Sequence, residues 1–181
     1  MAVNNRIGRL ALVLLAWVGV IVALMAWVDR PLAQALHGLP WAPQCDQLTH
    51  LVDPLAPLAG VTVVLAGVGA LLGWRPGPKA MGLLWIAVAV LAATVIKEEL
   101  KYVFGRTWPE TWTNGNPSYI HDHVFAFVLF HGGSGWASFP SGHMSVSVAA
   151  VAAAWRTFRR RRLLGAGLTL AIAVGLLGAD Y

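Results

Sequence analysis

The sequence predicts an all-α protein, a polytopic bundle of transmembrane helices. Of its 181 residues 57% are hydrophobic and only 12% charged, and the mean hydropathy is +0.65, a composition outside the soluble range. The apolar residues also gather into stretches of membrane-crossing length, with the polar and charged ones collected between them.

Five spans are expected in this chain. Leu10 to Val28, Pro54 to Trp74 and Ala80 to Ile96 are near or above the length that crosses about 30 Å of hydrocarbon. Pro140 to Phe158 and Leu163 to Ala179 follow, the last only 17 residues long and marginal for a full crossing. Arg6 and Arg9 precede the first span as they would precede a secretory signal. That span is long and lacks a small-x-small cleavage site before Asp29, so it reads as a retained anchor. The lone Cys45 has no partner for an internal disulfide and says nothing about redox compartment. With no repeat, low-complexity linker or appended soluble region, residues 1–181 read as one membrane domain.

Charge sets the orientation, because short cytoplasmic loops retain basic residues. Arg6, Arg9, Arg75, Lys79, Arg156 and Arg159 to Arg162 place nine of the thirteen basic residues on one side. Arg30, Lys97, Lys101 and Arg106 fall on the other, with all eight acidic residues and all six histidines. The N-terminus is therefore expected in the cytoplasm, in what reads as a bacterial inner membrane, and the acid-base chemistry outside it. A pI near 10.0 raises the possibility of nucleic-acid binding. The run Arg156 to Arg162 sits between two spans, where a topology determinant that also attracts anionic headgroups is the simpler account, so no nucleic-acid partner is implied.

Two outer loops connect the spans, Asp29 to Asp53 and the longer Lys101 to Phe139. Loops beyond about 12–15 residues are usually functional or disordered, and the tryptophans of the second argue for order. Trp108, Trp112 and Trp136 are assigned to an interfacial aromatic belt.

The second loop ends at Phe139-Pro140-Ser141-Gly142-His143, where an apolar helix begins. A helix start presents unpaired N–H groups and the positive end of the dipole, which favours an anion. Ser141 adds a hydroxyl, Gly142 admits close approach of a ligand to the backbone, and His143 carries a titratable proton. The ligand these groups suit is a phosphate. Lys97 and Lys101 lie one helical turn apart on one face at the outer end of the third span. Snorkelling to headgroups, with Glu98 and Glu99 as partners, accounts for Lys97. Lys101 opens a segment that reaches Arg106, whose planar fork suits phosphate oxygens. His121-Asp122-His123 and His131 could suggest a metal site, but ordinary loop or headgroup contacts are the preferred reading. His37 and His50 stand in no motif, and Ser134 and Ser138 read as loop and helix-capping residues.

From about Ala80 to Tyr181 the chain resembles the type 2 phosphatidic-acid phosphatase superfamily, membrane enzymes that hydrolyse lipid phosphates at the outer face. The family pattern is a lysine followed after six residues by Arg-Pro, then Pro-Ser-Gly-His, then a third motif carrying an arginine, a histidine and an aspartate. Pro140-Ser141-Gly142-His143 matches the second motif in full, and Lys101 and Pro109 keep the spacing of the first, with Trp108 where the family has arginine. Arg106 is the nearby substitute. Gly178-Ala179-Asp180-Tyr181 resembles the run into the third-motif histidine, with Leu176 where the arginine is expected.

The resemblance implies a phosphatase cut before its third motif, with the nucleophilic histidine just after Tyr181 and a sixth span beyond. It implies displacement at phosphorus through a phosphohistidine, without a cofactor or metal. Lys101, Arg106, Ser141 and Gly142 would bind the phosphate and His143 would protonate the leaving oxygen. A lipid phosphate or pyrophosphate substrate and the surrounding membrane lipids are the expected partners. The alternatives are a lipid phosphotransferase, or a non-catalytic short protein that binds an anionic headgroup or assembles through small-residue faces such as Gly67, Gly69 and Gly73.

Overall fold

The computed structural model describes residues 2–37, 39–40, 47–111, 115–158 and 162–178. Cys45, Trp112, Arg159 to Arg161, Ala179, Asp180 and Tyr181 lie outside the described residues. Within them the fold is all-α, with α1 (Ala2–Trp27), α2 (Asp29–Leu36), α3 (Leu55–Leu71), α4 (Pro78–Phe104), α5 (Tyr119–Asp122), α6 (Gly142–Thr157) and α7 (Arg162–Gly178). Short 3-10 turns occupy Thr49–Leu51 and Ser134–Trp136.

Three helical segments are long and apolar enough to cross a membrane: Arg6–Trp27, Thr49–Leu71 and Pro78–Phe104. The other two expected spans are α6 and α7, with 16 and 17 residues. At 1.5 Å per residue they reach about 24 and 26 Å, short of the ~30 Å hydrocarbon core. The side chains of Leu10, Leu12, Val13, Leu14, Leu15 and Trp17 on α1 are all exposed, as suits a helix solvated by lipid.

α4 is the central helix, with α3 and α6 packed against it and α7 against α6. Val52, Ala59, Ala87, Val90, Val146, Ile172 and Leu176 form the core between them. Small residues set the close approaches between the helices of this chain. At Gly82 an added Cβ would lie 2.1 Å from Thr157 Cγ2, which fixes α4 against α6, and at Gly165 it would lie 2.9 Å from both Val151 Cγ1 and Trp155 Nε1. By contrast Gly67 has nothing near it, Gly69 packs against Trp74 of its own chain turn, and Gly73 sits at φ +84° just beyond α3.

The two long loops carry more structure than their composition indicated. The Asp29 to Asp53 loop begins with α2, whose Gln34 Nε2 donates to the Tyr119 hydroxyl at 2.9 Å, while Arg30 lies 4.5 Å over the Phe125 ring. α4 runs two turns past Ile96, so the second loop starts at Gly105 rather than Lys101. It is pinned around residues 105–108: Arg106 bridges Phe127 and Ala137, and Trp108 bridges Ser118. Ser138, buried, donates from its hydroxyl to the Thr107 carbonyl at 2.6 Å, a clamp on the loop rather than the helix cap its sequence position suggested.

Candidate active site

The N-cap of α6 is Ser141, whose Oγ accepts from the Met144 amide at 3.4 Å. An oxygen used as acceptor leaves the hydroxyl proton available as a donor. Gly142 opens the first turn, and an added Cβ there would stand 3.4 Å from Cδ, Cε and Nζ of Lys97. The lysine from α4 thus lies directly against the first turn of α6, which joins the positive end of one helix to a cation from another.

Lys97 is only 15% exposed at its side chain and pairs with Glu98. The pairing agrees with the sequence reading, but the snorkelling role does not, because Lys97 lines a cavity with Lys101, one turn on along the same face. That cavity, of about 410 Å³, brings Lys97, Lys101, Arg106, Ser141, Gly142 and His143 together. Val52, Ala56 and Val146 give it an apolar wall. A second cavity of about 560 Å³ adjoins it, shares Lys101, Trp108 and His143, and is walled on the loop side by Tyr102, His131 and Trp136.

Arg106 reaches the first cavity because α4 stops at Gly105. Gly105 takes the left-handed conformation, φ +49°, and its amide donates to the Lys101 carbonyl at 2.8 Å. No other residue fits, since a Cβ would fall 1.9 Å from the Val128 carbonyl oxygen. The Arg106 side chain is buried, and its Nη2 donates to Asp29 Oδ2 of α2 at 2.6 Å. Burial pulls the Arg106 pKa down, and the Asp29 carboxylate pushes it back. Its Nε is buried without a hydrogen-bond partner among the described residues, a donor still lacking an acceptor.

His143 meets a carboxylate that the sequence reading did not assign. Its Nε2 lies 3.3 Å from Asp53 Oδ1, and Asp53 Oδ2 lies 2.9 Å from His50 Nδ1. Trp108 also departs from its assignment. It is buried at 9% exposure and donates from Nε1 to the Ser134 carbonyl at 2.6 Å, which makes it part of the cavity wall and not of an interfacial belt. The loop histidines have local contacts: His121 faces Glu110 at 3.7 Å, and His131 packs edge-on against Trp136. Asp122 accepts from the Ser118 amide at 2.9 Å.

Residues 82–179, more than half of the chain, match the family model of the PAP2 superfamily. The chain belongs to the PAP2 superfamily. PAP2 proteins are generally phosphatases acting on phosphate esters. No curated protein and no solved structure matches the chain.

Within the PAP2 match, the first two motifs meet in space as their pattern implies: Lys101 and Arg106 come from the end of α4 and just beyond it, Ser141, Gly142 and His143 from the start of α6. Leu176, where the family arginine is expected, is buried in the core with Ile172 and Val52, an apolar position. Lys97, Asp53 and Trp108 line the first cavity and were not assigned to it from the sequence, and His50 adjoins it through Asp53. Two signals were legible: the i, i+4 spacing of Lys97 and Lys101, and the i, i+3 spacing of His50 and Asp53 ahead of an apolar helix.

Proposed function

We propose that this PAP2 protein hydrolyses a lipid phosphate or pyrophosphate at the extracytoplasmic face of the membrane, through a phosphohistidine and without a metal. The observation that carries the reading is the convergence of three cations, a helix N-terminus and a histidine on one cavity that has an apolar wall. The wall formed by Val52, Ala56 and Val146 suits an acyl or prenyl chain arriving from the bilayer, and the cations suit its phosphate. Orientation rests on charge. Arg75, Lys79 and Arg156 stand at the ends of α3, α4 and α6 opposite to Lys101 and Ser141, so retention of basic loops in the cytoplasm puts the cavity outside.

The roles follow from the donors each residue owns. Lys97, Lys101 and Arg106 neutralise the non-bridging oxygens as charge builds at phosphorus, and the unpartnered Nε of Arg106 supplies one further donor. The Ser141 hydroxyl and the Gly142 amide hydrogen-bond the same oxygens. A third-motif histidine nitrogen bonds to phosphorus while the bond to the leaving oxygen breaks, and His143 gives that oxygen its proton. In the second step water attacks the phosphohistidine, His143 takes the water's proton, and free phosphate leaves. The reactive histidine of this scheme is the one that the family resemblance implies just after Tyr181, and it is none of the six histidines of residues 1–181.

The test is His143→Ala in the protein purified in detergent, assayed for phosphate release from a short-chain phosphatidic acid. Loss of a general acid lowers turnover by about 10²–10⁴-fold with the melting temperature unchanged. An unchanged rate rules out the proton-donor role.

A further inference from the structure

His50, Asp53 and His143 form a chain of side chains at the edge of the phosphate cavity, and two of the three stand outside every motif quoted above. Resting on the phosphatase reading, we propose that Asp53 is a positioning residue for the reaction: its carboxylate orients the His143 imidazole and counters the charge of the imidazolium that donates to the leaving oxygen.

The backbone places Asp53 with little freedom. The 3-10 turn Thr49–Leu51 runs into Val52, and Thr49 and Val52 are buried at 2% and 4% exposure. Val52 belongs to the core that contains Ile172 and Leu176. With those two residues inside, the three-residue period sends His50 and Asp53 outward together. The Asp53 amide donates to the His50 carbonyl at 3.3 Å, which holds the turn closed. Asp53 Oδ2 then engages His50 and Oδ1 engages His143, so each oxygen of one carboxylate has an imidazole partner.

Electrostatics gives the arrangement its meaning. A carboxylate lining a phosphate cavity repels the ligand, and Asp53 lines the same cavity as Lys97, Lys101 and Arg106. Facing His143, it instead acts on the one group of the site that must carry a proton and release it at the right moment. A carboxylate hydrogen-bonded to a catalytic imidazole fixes its ring orientation and stabilises its charged form. Asp53 reaches His143 from the segment leading into α3, whereas the cations come from α4 and the loop after it. The proton donor and the phosphate clamp therefore have separate supports.

The test exploits leaving-group dependence. Asp53→Asn and Asp53→Glu are compared with wild type on a short-chain phosphatidic acid, whose alkoxide needs protonation, and on p-nitrophenyl phosphate, whose phenolate leaves without it. Asp53→Asn is expected to lower kcat on the phosphatidic acid about tenfold, with KM and the rate of the first-turnover p-nitrophenol burst, which needs no protonation of the leaving group, within about twofold and the melting temperature unchanged. Asp53→Glu, which keeps the carboxylate, recovers most of the loss. Equal losses in phosphatidic-acid turnover and in the p-nitrophenol burst would mean a merely structural role and overturn the proposal. A second readout needs no turnover: carbethoxylation of His143 by diethyl pyrocarbonate at one fixed pH, followed on its peptide by mass spectrometry. The reaction is expected to be several-fold faster in Asp53→Asn, and equal rates overturn the pairing. Should wild type hydrolyse neither ester, the phosphatase reading falls and takes the role in turnover with it, while the carbethoxylation rates still decide whether Asp53 holds His143.

Discussion

Replacing Gly105 with alanine tests whether the end of α4 is what delivers Arg106 to the cavity. Gly105 sits at φ +49°, ψ 50°, where an L side chain costs about 1–2 kcal/mol. A second effect is steric. The new Cβ would fall 1.9 Å from the Val128 carbonyl oxygen, whereas a normal carbon–oxygen approach is about 3.3 Å. The two strands of the loop must then separate by about 1.4 Å, enough to break the 2.9 Å bond from the Val128 amide to the Gly105 carbonyl, a loss of about 1 kcal/mol. Together these destabilise the loop by about 2–3 kcal/mol, or about 4–12 °C in melting temperature for a chain of this size.

The nine tryptophans allow the melt to be followed by intrinsic fluorescence in detergent. Gly67→Ala is the control, because that glycine lies inside α3 with nothing within 4 Å, and alanine there is favoured by about 1 kcal/mol of helix propensity. Displacing Arg106 by about 1 Å also costs turnover about 10²-fold. A Gly105→Ala protein that melts with Gly67→Ala and keeps its activity would refute the claim that the αL turn and the Val128 contact hold Arg106 in place.

Asp29→Ala removes the partner of a buried guanidinium and is expected to destabilise by about 2 kcal/mol, read as a lower melting temperature that Asp29→Glu partly restores. Lys101→Ala is expected to lower kcat/KM by about 10²–10³-fold, the usual cost of one preorganised donor to the transition state, in a phosphate-release assay. Lys97→Ala is expected to weaken turnover in the same assay by about tenfold, whereas a lysine that merely snorkelled would leave it unchanged. Chelation with EDTA is expected to leave the rate intact, since lysine, arginine and helix amides supply the positive charge of the proposed scheme; loss of activity restored by a divalent ion would overturn it.

Lys101, Arg106, Ser141, Gly142 and His143 were legible because each is marked locally: a cation at the end of an apolar run, or a polar triplet opening one. Lys97 was equally visible but ambiguous, since a lysine at a helix end either reaches water or turns inward, and only the position of Gly142 on a neighbouring helix decides which. Trp108 was misassigned for a similar reason. Tryptophan is amphipathic at a membrane edge and inside a folded loop alike, and the carbonyl of Ser134 that accepts its N–H is 26 residues away.

What the sequence by itself determined is the chemistry that one stretch of chain contains: helices long and apolar enough to cross a membrane, an uneven distribution of basic residues between their ends, and a Ser-Gly-His triplet at a helix start. The tertiary structure alone decided which distant groups share one cavity. Asp53 and His143 are 90 residues apart, and Asp29 and Arg106 are 77 apart. No periodicity or spacing encodes such pairs. They exist because buried Thr49 and Val52 anchor one turn to the core and because α2 folds back over the loop, both consequences of packing between elements rather than of any local pattern.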